Sequence, residues 1–196
     1  FNSSDPIFNK ATFGFSLVSF NSVHVSAANE EPSSWALAEV NEAIDNELIP
    51  MHMQNNYTDA ISREDFCELV IYFIETYAEM GMPSFTTSKT LKALDESPFS
   101  DINNANVNSA NVLGIANGYA DGTFKPDNSI SRQAAAKMLA STAFALDYNI
   151  SADPVVFDDQ DTISSWAEPF VNYVYSLGIM TGVGENNFDP TGNYQR

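Results

Sequence analysis

One short pattern occurs three times along this chain and uses all of its arginines: Ile61-Ser62-Arg63, Ile130-Ser131-Arg132 and Tyr194-Gln195-Arg196. Each has an apolar β-former, a polar residue and then Arg, and the arginines at 63, 132 and 196 stand 69 and 64 residues apart. A unit recurring at this spacing restricts the fold, because one copy is too small to bury its own apolar face and must associate with its neighbours.

Placed in register, the copies agree well beyond the arginine. The second contains Phe99-Ser100-Asp101, Leu113-Gly114-Ile115-Ala116-Asn117-Gly118, Asp121-Gly122-Thr123-Phe124-Lys125-Pro126 and Ile130-Ser131-Arg132. The third contains Phe157-Asp158-Asp159, Trp166-Ala167, Leu177-Gly178-Ile179-Met180-Thr181-Gly182, Asn187-Phe188-Asp189-Pro190 and Tyr194-Gln195-Arg196. The first is looser, with Ser34-Trp35-Ala36, Glu47-Leu48-Ile49-Pro50, Asn55-Asn56-Tyr57 and Ile61-Ser62-Arg63, and lacks both glycines and the opening Phe-x-Asp.

Every copy reads as helix, loop, helix, which makes the chain mostly α. Val40, Ala43 and Ile44 in the first copy, and Trp166, Phe170, Val171, Val174 and Leu177 in the third, recur at helical spacing. Pro169 falls in a first turn, where its missing N–H costs little. The glycines end that helix, and Phe124 and Phe188 follow on short extended pieces, placed to pack inward. Ser62 and Ser131 are good N-caps for the second helix. Phe66, Leu69, Val70, Phe73, Ile74 and Tyr77 then form an apolar stripe, and Ala135, Leu139, Ala143 and Leu146 form a smaller one.

The resulting organisation is an N-terminal segment over 1–28, a first repeat over 29–80, a linker over 81–96, a second repeat over 97–147, a linker over 148–154 and a third repeat over 155–196. The third stops where its second helix should begin. Within the first segment, Lys10, the mostly apolar Ala11–Phe20 and the small residues Val25-Ser26-Ala27 resemble a secretory signal.

Charge narrows the partners. With 26 Asp+Glu against 8 Lys+Arg and a formal net charge of −18, the chain lacks the basic face that nucleic acid or anionic lipid requires. No apolar run reaches the length of about 18 residues that a membrane span needs. Cys67 is the only cysteine, so no intrachain disulfide forms, and its apolar helical setting reads as a small buried hydrophobe. His24 and His52 suggest no metal or catalytic role, and no cofactor is expected.

A cation in the first turn of a helix faces the positive end of the macrodipole, a misplacement of about 0.3–1 kcal/mol. Glu64 and Asp65 offset this beside Arg63, whereas Gln133 and Ala134 cannot beside Arg132. Arg132 is therefore expected to face an anion from elsewhere, either the Asp of a neighbouring Phe-x-Asp or an external ligand.

The ordered set Phe-x-Asp, Trp-Ala, Leu-Gly-Ile-x-x-Gly, Asp-Gly-Thr-Phe-x-Pro and Ile-Ser-Arg resembles S-layer homology (SLH) repeats over residues 33–80 and 97–196. The resemblance implies a three-lobed, pseudo-threefold module with a central helix bundle. It also implies a non-catalytic role anchoring bacterial surface proteins to peptidoglycan-linked secondary cell-wall polysaccharide that carries ketal-linked pyruvate. Carried over by position, it implies ligand contacts from Arg132 with Ser131, Gly118 and Asp101; from Arg196 with Gly182, Asp159 and Trp166; and from Arg63 with Ser62 and Trp35. Both tryptophans open amphipathic helices, and for that reason core packing is the expectation from pattern alone. An effector fused outside this sequence fits the same reading.

Two other classes compete. Carboxylate pairs such as Glu64/Asp65 and Asp158/Asp159 would suit a glycosidase, yet no nucleophile, base and orienter occur at recognisable spacing. Asp121-Gly122 suggests calcium-dependent assembly, but the full EF-hand ligand spacing is absent.

Overall fold

The computed structural model describes residues 31–79 and 97–195. The signal-like segment over 1–28, the linker over 81–96 and Arg196 lie outside them. The described residues form five helices: α1 (Leu37–Asp45), α2 (Arg63–Glu79), α3 (Ala105–Val112), α4 (Arg132–Ala145) and α5 (Glu168–Ser176). Among the described residues, extended backbone pairs only through isolated antiparallel bridges. The fold is mostly α.

Local chemistry sets the helix starts. The Ser62 hydroxyl accepts the Asp65 N–H at 3.0 Å, and the Ser131 hydroxyl accepts the Ala134 N–H at 3.4 Å. Asn104 accepts the N–H groups of Asn106 and Val107 to cap α3, and Pro169 sits in the first turn of α5. Each device satisfies donors that a helix N-terminus leaves open.

Packing runs between copies. Helix α2, from the first copy, packs on α3 of the second, and α4, from the second, packs on α5 of the third. Around α2 and α3, Phe66, Val70, Ile74, Val107, Phe124 and Ile130 are buried together. Around α4 and α5, Ala136, Ala140, Phe157, Val171, Val174 and Phe188 form a second core. Helix α4 serves both, with Ala135 and Met138 in the first core and Ala136, Ala140 and Ala143 in the second. Its alanines let two neighbours approach on opposite sides.

The residues after Arg63 and Arg132 each tether the next copy. The Asn104 side-chain amide donates to Glu64 Oε1 at 2.9 Å, and Gln133 Oε1 accepts the Ser164 N–H at 3.0 Å. This exchange explains why α1 differs from its counterparts. Val40 and Ala43 are only half-buried, and α1 contains no buried residue, whereas Val171 and Val174 at the matching places of α5 are fully buried. Among the described residues, no helix of a preceding copy covers α1 as α2 covers α3.

Among the backbone bonds that join the copies, three run through the residues before the Ser-Arg and Gln-Arg steps. Ile61 N–H donates to Tyr194 O at 3.0 Å, Tyr194 N–H to Ile130 O at 2.8 Å, and Ile130 N–H to Ile61 O at 3.2 Å. Each residue immediately precedes the polar position of its Arg pattern, and the three bonds close a cycle. Bridges at Ala60–Gln195, Ser62–Ser129 and Ser131–Asn193 flank it.

Two expectations meet different outcomes. Cys67 is fully buried on α2, and burial pushes its thiol pKa up to about 12. Iodoacetamide at about pH 8 is therefore expected to leave the native protein unlabelled and to alkylate the denatured chain, because the thiolate is the nucleophile; rapid native labelling would contradict this. The tryptophans are a correction. Trp35 is 79% and Trp166 49% exposed, so neither is a core residue. Each precedes its helix on the outer side, and in the third copy the adjacent Ala167 is the residue that enters the core.

Candidate functional site

The Phe-x-Asp aspartates act within their own copy. Asp101 Oδ1 and Oδ2 accept the N–H groups of Phe124 and Lys125, each at 2.8 Å. Asp159 does the same for Phe188 and Asp189, at 2.9 and 2.7 Å. These bonds hold Lys125 at φ 57° and Asp189 at φ 55°, the left-handed region that residues with side chains seldom adopt. They also set Phe124 against Phe99 and Phe188 against Phe157, with ring centroids 5.1 and 5.4 Å apart.

The Phe124 and Lys125 N–H groups hold Asp101 below the usual aspartate pKa, the Phe124 bond contributing most. A depressed carboxyl pKa gives stability that is present above the unfolded value and lost as pH falls through the folded value. Asp101→Asn is therefore expected to lower the melting temperature at neutral pH. The deficit relative to wild type should narrow as the pH drops below the ordinary value of 3.8. A deficit independent of pH in melting curves would count against this role.

Each braced turn presents carbonyls to the arginine of the preceding copy. Arg63 donates from Nε to Phe124 O and from Nη2 to Asn117 O, both at 2.8 Å. Arg132 donates from Nε to Phe188 O at 2.8 Å and from Nη2 to Thr181 O at 2.6 Å. The guanidinium carbons lie 4.4 Å from the Phe124 ring centroid and 4.9 Å from that of Phe188, close enough for cation–π attraction. Burial lowers the Arg132 pKa from its ordinary value. The expected grouping is thus corrected by one copy: Arg63 meets the turn that follows Gly118 and is braced by Asp101, and Arg132 meets the turn that follows Gly182 and is braced by Asp159. The antiparallel bridges between copies cause the shift, since they lay each helix start over the next copy's turn. The groups holding these cations are backbone carbonyls, where pattern and charge suggested a carboxylate or an external ligand.

A groove of about 350 Å³ opens beside Arg63, lined also by Gly118, Tyr119, Ser131, Lys137 and Trp166. These residues come from all three copies: α2 supplies Arg63, the second copy its turn and one face of α4, and the third copy Trp166. Among the described residues, no aspartate or glutamate lines it. Gly118 is required where it stands, because an added Cβ would strike the Phe99 ring and lie 2.8 Å from Thr123 O. Ser131 combines capping with a place in the wall.

The remaining candidates fall elsewhere. Neither Ser62 nor Trp35 lines the groove that contains Arg63. An added Cβ at Gly182 would lie 2.7 Å from Asn187 O, so that position is also crowded, by one backbone oxygen. Sequence reasoning missed Lys137 and Tyr119. One signal was available: Ser131, Ala134, Lys137 and Met138 recur at the spacing of a single helix face.

Three relatives share parts of this chain. An uncharacterized cell wall amidase of Bacillus anthracis is 34% identical over 104 residues, covering 52% of this chain and 19% of that protein. Cell surface glycoprotein 1 of Acetivibrio thermocellus is 29% identical over 53% of this chain and 5% of its own length. An endoglucanase of Bacillus sp. strain KSM-635 is 24% identical over 84% of this chain and 17% of its own length. The chain therefore spans less than a fifth of each relative. The segments that carry the aspartate braces and the crowded glycines, residues 98–136 and 156–193, match the S-layer homology domain.

Proposed function

We propose that this chain is a non-catalytic cell-surface anchoring module that binds anionic, pyruvylated secondary cell-wall polysaccharide. Its three repeats form a three-lobed, pseudo-threefold unit at the bacterial surface, and the larger protein carries an effector such as a wall-acting or polysaccharide-degrading enzyme. The S-layer homology matches support the anchoring role, and the names of the amidase and endoglucanase relatives support the attached effector.

The observation that carries the reading is the groove. A chain with net charge −18 and 8 Lys+Arg brings Arg63 and Lys137 into one concavity that no carboxylate lines among the described residues. Half-exposed Trp166 closes the site with a flat apolar face suited to a sugar ring. Repulsion between an acidic surface and an anionic polymer is damped beyond about 8 Å at physiological salt. The local cations therefore decide the contact.

The test is retention on purified wall sacculi before and after chemical removal of pyruvate. Native sacculi should hold the chain, stripped sacculi should not, and Trp166→Ala should weaken retention without moving the melting temperature. Equal retention on both preparations would overturn the reading.

A further inference from the structure

We propose that Lys137 selects the charge of the groove's ligand, its ammonium meeting an acidic substituent of the saccharide while Arg63 positions the opposite wall. The inference rests on the saccharide-binding reading above and assigns the charge recognition within that site.

The two cations are held differently. Arg63 commits Nε and Nη2 to two carbonyls and lies over the Phe124 ring. It is a clamp between copies, with its plane set by those bonds. Lys137 projects from α4 on the face that also carries Ser131, Ala134 and Met138. Small Ala134 lies between the cap and the lysine, leaving the floor open beside a flexible four-carbon stem. An ammonium there can turn three donors toward whatever anion enters.

Their shared setting is unfavourable until a ligand arrives. Lys137 is half-buried, and burial is the larger cause of its lowered pKa, with Arg63 the second. Two like charges thus influence one another in a concavity that no carboxylate lines among the described residues. An acidic saccharide offsets both penalties at once, whereas a neutral one offsets neither.

The first copy does not share this lysine. Counting from the capping serine, the position of Lys137 in the first copy is taken by Glu68, which pairs with His52 at 3.1 Å. The sign is reversed there, so the corresponding face of α2 lacks the positive charge that α4 offers.

The experiment titrates pyruvylated wall polysaccharide, and the same polymer stripped of its acidic groups, into wild type, Lys137→Met, Lys137→Arg and Lys137→Glu at low and high salt. Lys137→Met should bind the native polymer about tenfold more weakly, as expected for losing one charge-assisted bond, and show a flatter salt dependence. Lys137→Arg should recover affinity to within about threefold, Lys137→Glu should be the weakest, and unchanged melting temperatures should separate recognition from folding. The stripped polymer should not distinguish wild type from Lys137→Met. Native-polymer binding by Lys137→Met that equals wild type at both salts would overturn this inference alone. Failure of wild type to bind the native polymer would overturn the anchoring function, and this inference with it.

Discussion

Phe124→Ala is expected to destabilise the protein by about 3–5 kcal/mol, a fall of roughly 10 °C in melting temperature for a chain of this size. The ring is fully buried and meets Phe99 on one side and the Arg63 guanidinium on the other. Its backbone is equally engaged: Asp101 accepts its N–H and Arg63 donates to its carbonyl. Truncation leaves a cavity under a cation whose hydrogen bonds still hold it in place, so the surroundings cannot collapse freely to fill the space. Tyr119→Ala, at a ring that is 44% exposed, supplies the comparison, with an expected loss of about 1 kcal/mol or less. Thermal melts followed by circular dichroism decide between them. Similar losses for the two variants would mean that Phe124 is not the post on which the Arg63 clamp rests.

Gly118→Ala should lose wall retention and about 3 kcal/mol of stability. The added methyl has nowhere to go, since it meets the Phe99 ring and the Thr123 carbonyl. That carbonyl accepts the Tyr119 N–H at 2.7 Å, so moving it opens the turn that forms one wall of the groove. The informative partner is Gly114→Ala. Gly114 has φ +74° and open space around its position, and should cost only the left-handed penalty of about 1–2 kcal/mol. Retention by Gly114→Ala should survive at a temperature where the protein remains folded. If Gly118→Ala binds sacculi as wild type does, the turn is not part of the ligand wall.

Much of the architecture was legible residue by residue. The Ser62 and Ser131 caps, the buried Phe124 and Phe188 and the inward stripe of α2 follow from hydrogen-bonding and apolar preferences acting over a few neighbouring residues. The tryptophans failed the same logic. A large aromatic beside a helix start is compatible with either face, and the side it takes depends on which copy lies across from it. Lys137 failed for a related reason: in an alanine-rich helix a lysine reads as a solvated surface residue until Arg63 from another copy is brought opposite.

The amino acids alone point to a recurring helix–loop pattern, the places where its helices begin and the aromatic rings that enter its core, because periodicity, capping and burial preference are written within a turn or two of chain. The pairing of copies was settled at longer range. The cycle of bonds through Ile61, Tyr194 and Ile130 lays Arg63 and Arg132 each over the following copy's turn, and a backbone carbonyl looks the same in every copy until folding selects the one within reach.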